Sequence, residues 1–308
     1  MATALVTGAS AGIGEEFAYG LARERYDLVL VARREARLKE VAEKAKMLGS
    51  GSVLTIPADL ARRETPTAIH RQLAEQNVAI DYLVNNAGFG TRGRFSQLAL
   101  ERELEEIDLN VGALVALTRL FAPAMVARRH GTIINVASTA AFQPLPYMAT
   151  YAATKAYVLS FSLAMAAELR GTGVTILALC PGPTYSEFQA VAGIKNAPTR
   201  RAMFMDAKTV ADQGIAAARR GKWLHINGVM NLMLAELARV SPRVLVTRIA
   251  SKRYGVMIKQ RAGKIVNITA VAGRTGSRGM AAYAAAKAGV TALTQSLGAE
   301  CLESRGRS

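Results

Sequence analysis

Cysteine is scarce in this chain: its 308 residues contain only Cys180 and Cys301. Two cysteines so far apart exclude a disulfide framework, and their spacing matches no structural zinc site, so we expect no metal. Disulfides mark oxidising compartments, and their absence favours a reducing, cytoplasmic location.

Long charge-free apolar runs are also missing. No stretch of about 18 apolar residues lacks a charge, so we predict no transmembrane helix. No basic region or cleavage site precedes the apolar strand that starts at Ala2, so we expect no signal peptide. A core is still available, because 51% of the residues are apolar and only 20% are charged.

Acidic residues are few: 23 Asp and Glu against 39 Lys and Arg give a net charge of +16. The imbalance concentrates at residues 219–264, where eleven Lys and Arg stand against Glu236 alone. Such a stretch can contact an anionic membrane surface, but a solvated helix face is the commoner reason for it. The aromatics, 6% of the chain, are not interleaved with the basic run, so we expect no nucleic-acid partner.

Strand and helix patterns alternate regularly along the chain. Apolar strands are predicted at 2–7, 28–32, 53–56, 82–84, 132–136 and 174–179, and the main helices at about 35–48, 64–76, 97–127 and 149–170. Continuous apolar strands are typical of a sheet that is buried on both faces. The pattern predicts an α/β fold, a Rossmann-type doubly wound parallel sheet in three α/β/α layers.

The alternation is followed by a partial internal repeat. Residues 263–300 match residues 131–168 at a constant offset of 132, with 14 of 38 aligned positions identical. We therefore divide the chain into a main domain, 1–255, and an appended C-terminal repeat, 256–308. The repeat has no glycine loop, and Ala270 stands where the first copy has Ser138, so we expect it to be non-catalytic.

Three arrangements of the C-terminal repeat are open. It can pack as an appendage on the main domain or at a subunit contact. It can compete with 131–168 for a place in the sheet, which would give a swapped oligomer. It can also be a poorly folded remnant, because a strand without its sheet leaves backbone groups unpaired. We favour an ordered or semi-ordered appendage.

A glycine-rich loop lies between the first strand and the first helix. Its sequence is Thr7-Gly8-Ala9-Ser10-Ala11-Gly12-Ile13-Gly14. Glycines allow the backbone to approach a pyrophosphate closely, and the helix that follows presents free N–H groups to the anion. This context predicts a dinucleotide site.

The end of the second strand indicates which dinucleotide. An acidic residue there would accept hydrogen bonds from a ribose 2′-hydroxyl, but this chain has Ala32 followed by Arg33 and Arg34. A guanidinium group pairs with a 2′-phosphate that a carboxylate would repel. We therefore favour NADP(H) over NAD(H), with Arg33 as the principal contact; the alternative is that both arginines only face solvent.

A tyrosine and a lysine share one face of the helix at 149–170. Tyr151 and Lys155 are four residues apart, and Ser138 stands at the end of the preceding strand. An ammonium beside a phenol is expected to lower the phenol pKa from about 10 towards working pH. Such a phenol can transfer a proton to or from a carbonyl oxygen, and the Ser138 hydroxyl can hydrogen-bond the same oxygen.

These motifs together resemble the short-chain dehydrogenase/reductase family over roughly residues 1–255. By that resemblance Asn110, Ser138, Tyr151 and Lys155 form the catalytic tetrad, with Asn110 positioning a water and Lys155 also holding the nicotinamide ribose. The resemblance also implies a set of cofactor contacts: Gly8, Ser10, Gly12, Ile13, Gly14, Arg33, Asp59, Leu60, Asn86, Ala87, Gly88, Tyr151, Lys155, Pro181, Gly182 and Thr184. The C-terminal repeat is similar to the 3-oxoacyl-carrier-protein reductase branch.

The resemblance implies an NADP(H)-dependent oxidoreductase that moves a hydride between nicotinamide and a small carbonyl or secondary alcohol, with Tyr151 as acid or base. A lid at about 185–205 is expected to make the substrate pocket partly apolar. The family commonly forms homo-oligomers, so we expect one here. The alternative function is a dinucleotide-binding scaffold or sensor that recruits a partner or a membrane through the basic region.

Overall fold

The computed structural model describes residues 2–185, 187, 204–241 and 281–302, together with 267, 269, 270 and 273. One seven-stranded sheet organises the described residues, with strand order β3-β2-β1-β4-β5-β6-β7 and every pairing parallel. Helices cover both faces. The predicted Rossmann-type doubly wound fold is confirmed.

The strands and helices alternate as the apolar pattern indicates. The strands are β1 (Thr3–Thr7), β2 (Asp27–Ala32), β3 (Val53–Pro57), β4 (Tyr82–Asn85), β5 (Gly131–Val136), β6 (Val174–Cys180) and β7 (Leu224–Ile226). The helices are α1 (Gly12–Arg23), α2 (Glu35–Leu48), α3 (Thr65–Glu75), α4 (Leu100–Ile107), α5 (Leu114–Ala127), α6 (Ala149–Glu168), α7 (Ala207–Arg219), α8 (Val229–Val240) and α9 (Ala281–Leu302).

Alternate residues of each central strand enter the two layers that flank the sheet. On one face Val6 and Leu30 pack with Phe17 of α1, and on the other Leu5 and Val29 pack with Leu117 of α5. All six side chains are buried. Because the strands are parallel, their carboxyl ends meet at one edge, where a ligand site is expected in this class of fold.

The helix predicted at 97–127 is not uniform. A π-helical turn, Asp108–Ala113, separates α4 from α5 and contains Asn110. The combined stretch Leu100–Ala127 is long and apolar enough to span a membrane by length and composition. Its α5 part, however, packs on the sheet through Leu117, Phe121 and Met125, which accounts for its apolar character.

The C-terminal repeat contributes helix α9, which begins at Ala281, as the offset of 132 from the start of α6 at Ala149 requires. The two helices pack against each other, since Ala285 lies in one apolar cluster with Val158 and Phe161 of α6. The Ser296 hydroxyl accepts a hydrogen bond from the backbone N–H of Leu145 at 3.1 Å. Within the described ranges the repeat adds no strand to the sheet.

Small side chains allow α9 to approach α6 closely, which gives a test of this packing. Ala285 is fully buried and its neighbour Ala286 is exposed. We expect Ala285→Leu to destabilise the docked helix by roughly 1–3 kcal/mol through overpacking, and Ala286→Leu to have little effect. Limited proteolysis, with cleavage mapped by mass spectrometry, checks this. Equal cleavage of the two variants would show that α9 does not dock through this face.

Candidate functional site

The glycine loop forms a cradle at the carboxyl ends of β1 and β4. Gly8 and Gly12 have positive φ angles of 65° and 58°, a conformation that favours glycine. A Cβ on Gly14 would lie 2.3 Å from the Gly8 carbonyl oxygen, so helix α1 starts directly against the loop backbone. Ala11 caps α1 without a side-chain hydrogen bond, which leaves the first N–H groups of the helix available to an anion.

Thr7 and Asn86 clamp this loop to the next strand. The Thr7 hydroxyl donates to the Val84 carbonyl oxygen at 3.1 Å and accepts from the N–H groups of Asn86 and Ala87 at 2.9 and 3.0 Å. The Asn86 side-chain amide donates to the Thr7 carbonyl oxygen at 2.9 Å. The predicted contacts Gly8, Asn86 and Ala87 therefore lie together in one rigid unit.

The two arginines after β2 take different positions. The Arg34 guanidinium donates to the Ser10 hydroxyl and carbonyl oxygens at 3.2 Å each, and it also pairs with Glu187 at 2.8 Å. Arg33 is more exposed and pairs with Glu105 at 3.4 Å. Arg34 therefore joins the predicted Arg33 at the loop, and its hydrogen bonds to Ser10 make it the better-placed cation.

Asp59 and Leu60 follow β3 at the same edge of the sheet. The Asp59 carboxylate accepts from the N–H of Ala61 at 3.1 Å, and the Leu60 side chain is buried in the core on one face of the sheet. The N–H of Ala58 donates to the Ala32 carbonyl oxygen at 2.9 Å, which ties this turn to the end of β2.

Ser138, Tyr151 and Lys155 converge beyond the end of β5. Ser138 hydrogen-bonds the Tyr151 phenol. The Lys155 ammonium donates to the Val136 carbonyl oxygen at 2.8 Å and lies 5.8 Å from the centre of the Tyr151 ring. A Cβ on Gly88 would come within 3.5 Å of Lys155 Nζ, so this group directly adjoins the loop that packs on the glycine cradle.

One expectation about Tyr151 is wrong for the protein alone. Desolvation by the surrounding protein raises the pKa of Tyr151 to about 12, and the hydrogen bond from Ser138 only partly counters this. Burial also lowers the pKa of Lys155 to about 8, which weakens the ammonium as a partner of the phenolate. The net effect of the surroundings is therefore to raise the phenol pKa, and not to lower it as the helix spacing indicated.

Asn110 lies in the π-helical turn and holds the loop after β4. Its side-chain amide donates to the Phe89 carbonyl oxygen at 2.8 Å and to the Thr154 hydroxyl at 3.1 Å. Its oxygen accepts from the Phe89 N–H at 3.1 Å. Single π turns recur at functional sites, and this one aims Asn110 at the segment beside Lys155. Its role in positioning a water stays a prediction.

The turn after β6 closes the described site. The Thr184 hydroxyl donates to the Gly182 carbonyl oxygen at 3.0 Å, and the Pro181 carbonyl oxygen accepts from the N–H of Thr139 at 2.9 Å. A Cβ on Gly182 would lie 2.2 Å from the amide of Asn231 in α8. Sequence reasoning missed Asn231, because no local pattern places the start of α8 against this turn.

Only the ends of the predicted lid belong to the described residues. The rings of Tyr185 and Phe204 lie 4.9 Å apart, and Met205 pairs with Thr184 through a short parallel bridge. The predicted lid residues Phe188, Val191, Ile194 and Met203 lie outside the described residues.

A family model for the short chain dehydrogenases matches residues 2–196 and 240–305, and the first stretch alone exceeds half of the chain. The chain belongs to the short chain dehydrogenase family. The second stretch covers most of the C-terminal repeat but does not assign it to the 3-oxoacyl-carrier-protein reductase branch, so that resemblance stays a prediction.

Several members of the short chain dehydrogenase family are similar to this chain. A short-chain dehydrogenase from Sphingobium yanoikuyae, solved in complex with NADPH, is 31% identical, with a TM-score of 0.70 over 85% of this chain and 99% of that one. L-sorbose reductase from Gluconobacter frateurii, solved with NADPH and L-sorbose, is 30% identical, with a TM-score of 0.64 over 73% of this chain and 94% of that one.

Curated family members match over part of their length. The 11-beta-hydroxysteroid dehydrogenase of Pinus massoniana is 40% identical over 58% of this chain and 50% of its own length. The ketoacyl reductase HetN of Nostoc sp. is 36% identical over 58% of this chain and 62% of its own length. The chain thus spans between half and two thirds of these two relatives.

The C-terminal repeat carries a second tyrosine–lysine pair in a different setting. Lys287 Nζ lies 5.7 Å from the Tyr283 ring centre, close to the value for Lys155 and Tyr151. Tyr283 is 45% exposed, however, and the described part of the repeat has no serine at the position of Ser138. The repeat therefore reproduces the distance between the tyrosine ring and the lysine, but not the burial and the serine of the first copy.

Proposed function

We propose that this chain is an NADP(H)-dependent oxidoreductase that interconverts a small-molecule carbonyl and its alcohol, with Tyr151 as the proton-transfer residue. The observation that carries the proposal is the convergence of Ser138, Tyr151 and Lys155 beside a glycine cradle. The neighbouring cradle supplies a place for the dinucleotide, and the three side chains supply the proton chemistry.

The residues present fit a dinucleotide. Gly8 and Gly14 let the loop, Asn86 and the start of α1 pack closely, because a Cβ on either would come within 3 Å of the Asn86 amide. The uncapped start of α1 offers N–H groups to a pyrophosphate. Arg33 and Arg34 place positive charge at the end of β2, where a 2′-phosphate is read. When bound, the nicotinamide would supply or accept the hydride.

The protein's own groups then handle the proton. In the reductive direction Tyr151 donates its phenolic proton to the substrate oxygen, which Ser138 orients by a hydrogen bond. A raised phenol pKa keeps Tyr151 protonated and therefore suits the reductive role. In oxidation the proton must leave the phenol first, so alcohol oxidation is expected to need higher pH.

The proposed reaction is compatible with several classes of carbonyl substrate. The relatives' names include hydroxysteroid, ketoacyl and sorbose enzymes, so the family alone does not choose among apolar and polar carbonyls. Tyr185 and Phe204 form an aromatic contact at the edge of the described site, which supports a partly apolar substrate. A panel of aromatic, aliphatic and sugar ketones, with NADPH consumption as the signal, tests the proposal.

The preference for NADP(H) rests on the two arginines and can be tested by charge reversal. A charge-assisted hydrogen bond is worth about 1.5–3 kcal/mol, so Arg34→Asp should weaken NADPH binding by roughly 10- to 100-fold. The effect on NADH should be smaller. Arg33→Asp shows whether the outer cation contributes. Fluorescence titrations with both cofactors give the ratio of dissociation constants.

A matched control for this test is Arg170→Asp, which makes the same charge change at an exposed residue beyond α6. It should leave both dissociation constants unchanged. If Arg34→Asp and Arg33→Asp weakened NADPH and NADH equally, the arginines would not read the 2′-phosphate and the cofactor preference would have to be abandoned.

A scaffold or sensor function is not favoured, because the proteins similar to this chain are oxidoreductases and because Ser138, Tyr151 and Lys155 are all present. The cytoplasmic location, the homo-oligomer, the peripheral membrane contact and the domain division at 255/256 stay predictions from the sequence.

A further inference from the structure

Two glutamates of α4 are buried behind the proposed proton-transfer site. Glu106 is fully buried and Glu103 is 5% exposed, although Glu and Asp are rarely buried without a cationic partner. Within the described ranges neither carboxylate forms an ion pair. Each also has one oxygen, Oε1, without a hydrogen-bond partner there. Such burial is costly, so these residues are candidates for a functional role.

Each glutamate accepts hydrogen bonds from a different part of the site. The Glu106 Oε2 atom accepts from the N–H of Thr91 at 2.8 Å and from its hydroxyl at 2.7 Å. The Thr150 hydroxyl donates to Glu103, and Thr150 directly precedes Tyr151 at the start of α6. One face of a single helix therefore contacts both the loop after β4 and the helix that carries Tyr151 and Lys155.

Asn110 follows Glu106 by about one helical turn and lies on the same face, close to Lys155. It binds both backbone groups of Phe89, two residues before Thr91. It also lies beside Gly88, whose Cβ position is 3.5 Å from Lys155 Nζ and 2.7 Å from Asn110 Oδ1. Glu106 and Asn110 thus both hydrogen-bond the short segment 89–91, which directly follows Gly88 beside Lys155.

The charge of Glu106 reaches both proton-transfer groups. Burial is the largest influence on the pKa of each group. The Glu106 carboxylate comes next for Lys155 and raises its pKa, and for Tyr151 it raises the pKa after the lowering effect of the Ser138 hydrogen bond. Burial raises the pKa of Glu106 itself to about 7, against the lowering effect of the two Thr91 hydrogen bonds and with a further increase from Glu103. Its charge therefore changes within the pH range in which an enzyme is assayed.

We propose that Glu106 is a positioning residue for the proton-transfer groups: its carboxyl fixes the backbone beside Lys155, and its charge biases the protonation of Tyr151 and Lys155. This rests on the proposed function only for its effect on catalysis. The groups that face Glu106 are Thr91 from the loop after β4, Glu103 from α4 and Lys155 from α6. Cys180 of β6 is a further titratable group that acts on Tyr151 and Lys155.

The decisive variant is Glu106→Gln, which removes the charge and keeps the size and an acceptor for Thr91. Without a nearby carboxylate the phenolate becomes easier to form and the ammonium harder to keep. For carbonyl reduction the basic limb of the kcat/KM profile should therefore move to lower pH, by roughly 0.5–1 pH unit. The matched control is Glu101→Gln, on the same helix but exposed to solvent, which should leave the limb in place.

A second readout needs no catalysis. A ¹³C NMR titration of the Lys155 Cε, assigned with Lys155→Ala, should show a lower pKa in Glu106→Gln and none of this change in Glu101→Gln. If Glu106→Gln folds poorly, Thr91→Val serves instead. It removes one hydrogen bond from the carboxylate, favours protonated Glu106 and should move the limb in the same direction by less.

The outcomes separate this inference from the proposed function. A shifted Lys155 titration in a protein that reduces no carbonyl would retain the inference about charge and reject the proposed activity. Normal reduction with both readouts unmoved in Glu106→Gln, or moved to higher pH, would overturn the inference. Lower thermal stability alone, without a change in either titration, would mean that Glu106 is only structural and would also overturn it.

Discussion

Tyr151→Phe is expected to lower kcat for carbonyl reduction by about 100- to 10,000-fold, the range that general acid catalysis supplies. The phenol is the only part removed, and the ring that packs at the site is kept. NADPH affinity should stay unchanged, because the glycine cradle and the arginines are untouched. Initial rates with saturating NADPH, together with a cofactor titration, measure both quantities.

The C-terminal repeat offers a matched control for this substitution. Tyr283 lies 132 positions after Tyr151, in the same sequence context and at almost the same distance from its lysine. Tyr283→Phe should leave kcat unchanged, because the repeat has no glycine loop. Substantial activity in Tyr151→Phe, or loss of activity in Tyr283→Phe, would contradict the assignment of the reaction to the main domain.

Gly14→Ala is expected to weaken NADPH binding by roughly 10- to 100-fold, equivalent to about 1–3 kcal/mol of overpacking. The added Cβ would lie 2.3 Å from the Gly8 carbonyl oxygen and 2.5 Å from the Asn86 amide. Neither neighbour can yield, since one is backbone and the other is held by Thr7. Helix α1 would have to move away from the loop, and its first N–H groups would no longer lie where the pyrophosphate is expected to bind.

Two further substitutions separate damage to the cradle from general destabilisation. Gly20→Ala in the same helix meets the flexible Ile215 side chain at 2.6 Å, so it should lower the melting temperature and spare NADPH binding. Gly298→Ala meets nothing within 4 Å, so it should leave NADPH binding unchanged. It should not lower the melting temperature, because alanine favours a helix more than glycine does. If Gly14→Ala and Gly20→Ala reduced NADPH affinity equally, the cradle geometry would not explain cofactor binding.

The sequence predicted the sheet well because each central strand is a short apolar run with a clear end. It missed β7, since Leu224–Ile226 is only three residues long and lies in a basic, irregular context. Its strand state comes from pairing with β6, a contact that no local pattern encodes. Likewise, the periodicity of 97–127 could not reveal the extra residue in the turn at Asn110.

The cofactor loop and the Ser138, Tyr151 and Lys155 set were predictable because their spacing fixes where they lie on a strand end and a helix. What lies around them was not. Arg33 and Arg34 are adjacent in sequence, and only the fold shows that Arg34 bonds to Ser10. The phenol pKa depends on burial, which helix spacing does not contain.

The buried glutamates show the same limit more strongly. In sequence, Glu103 and Glu106 lie in a run of charged residues near the start of the helix predicted at 97–127, and charged residues are mostly exposed. Their burial depends on Thr91 and Thr150, which come from two other parts of the chain. A carboxylate that is buried by distant partners leaves no local signal.

The most direct test of the central claim is a titration of the unmodified full chain with NADPH and, in parallel, with NADH. We predict saturable binding of one cofactor per chain, with NADPH bound roughly tenfold or more tightly than NADH, a difference of about 1.4 kcal/mol or more. Saturable binding of neither cofactor would contradict the assignment of the glycine cradle as a dinucleotide site, and the proposed function would fall with it.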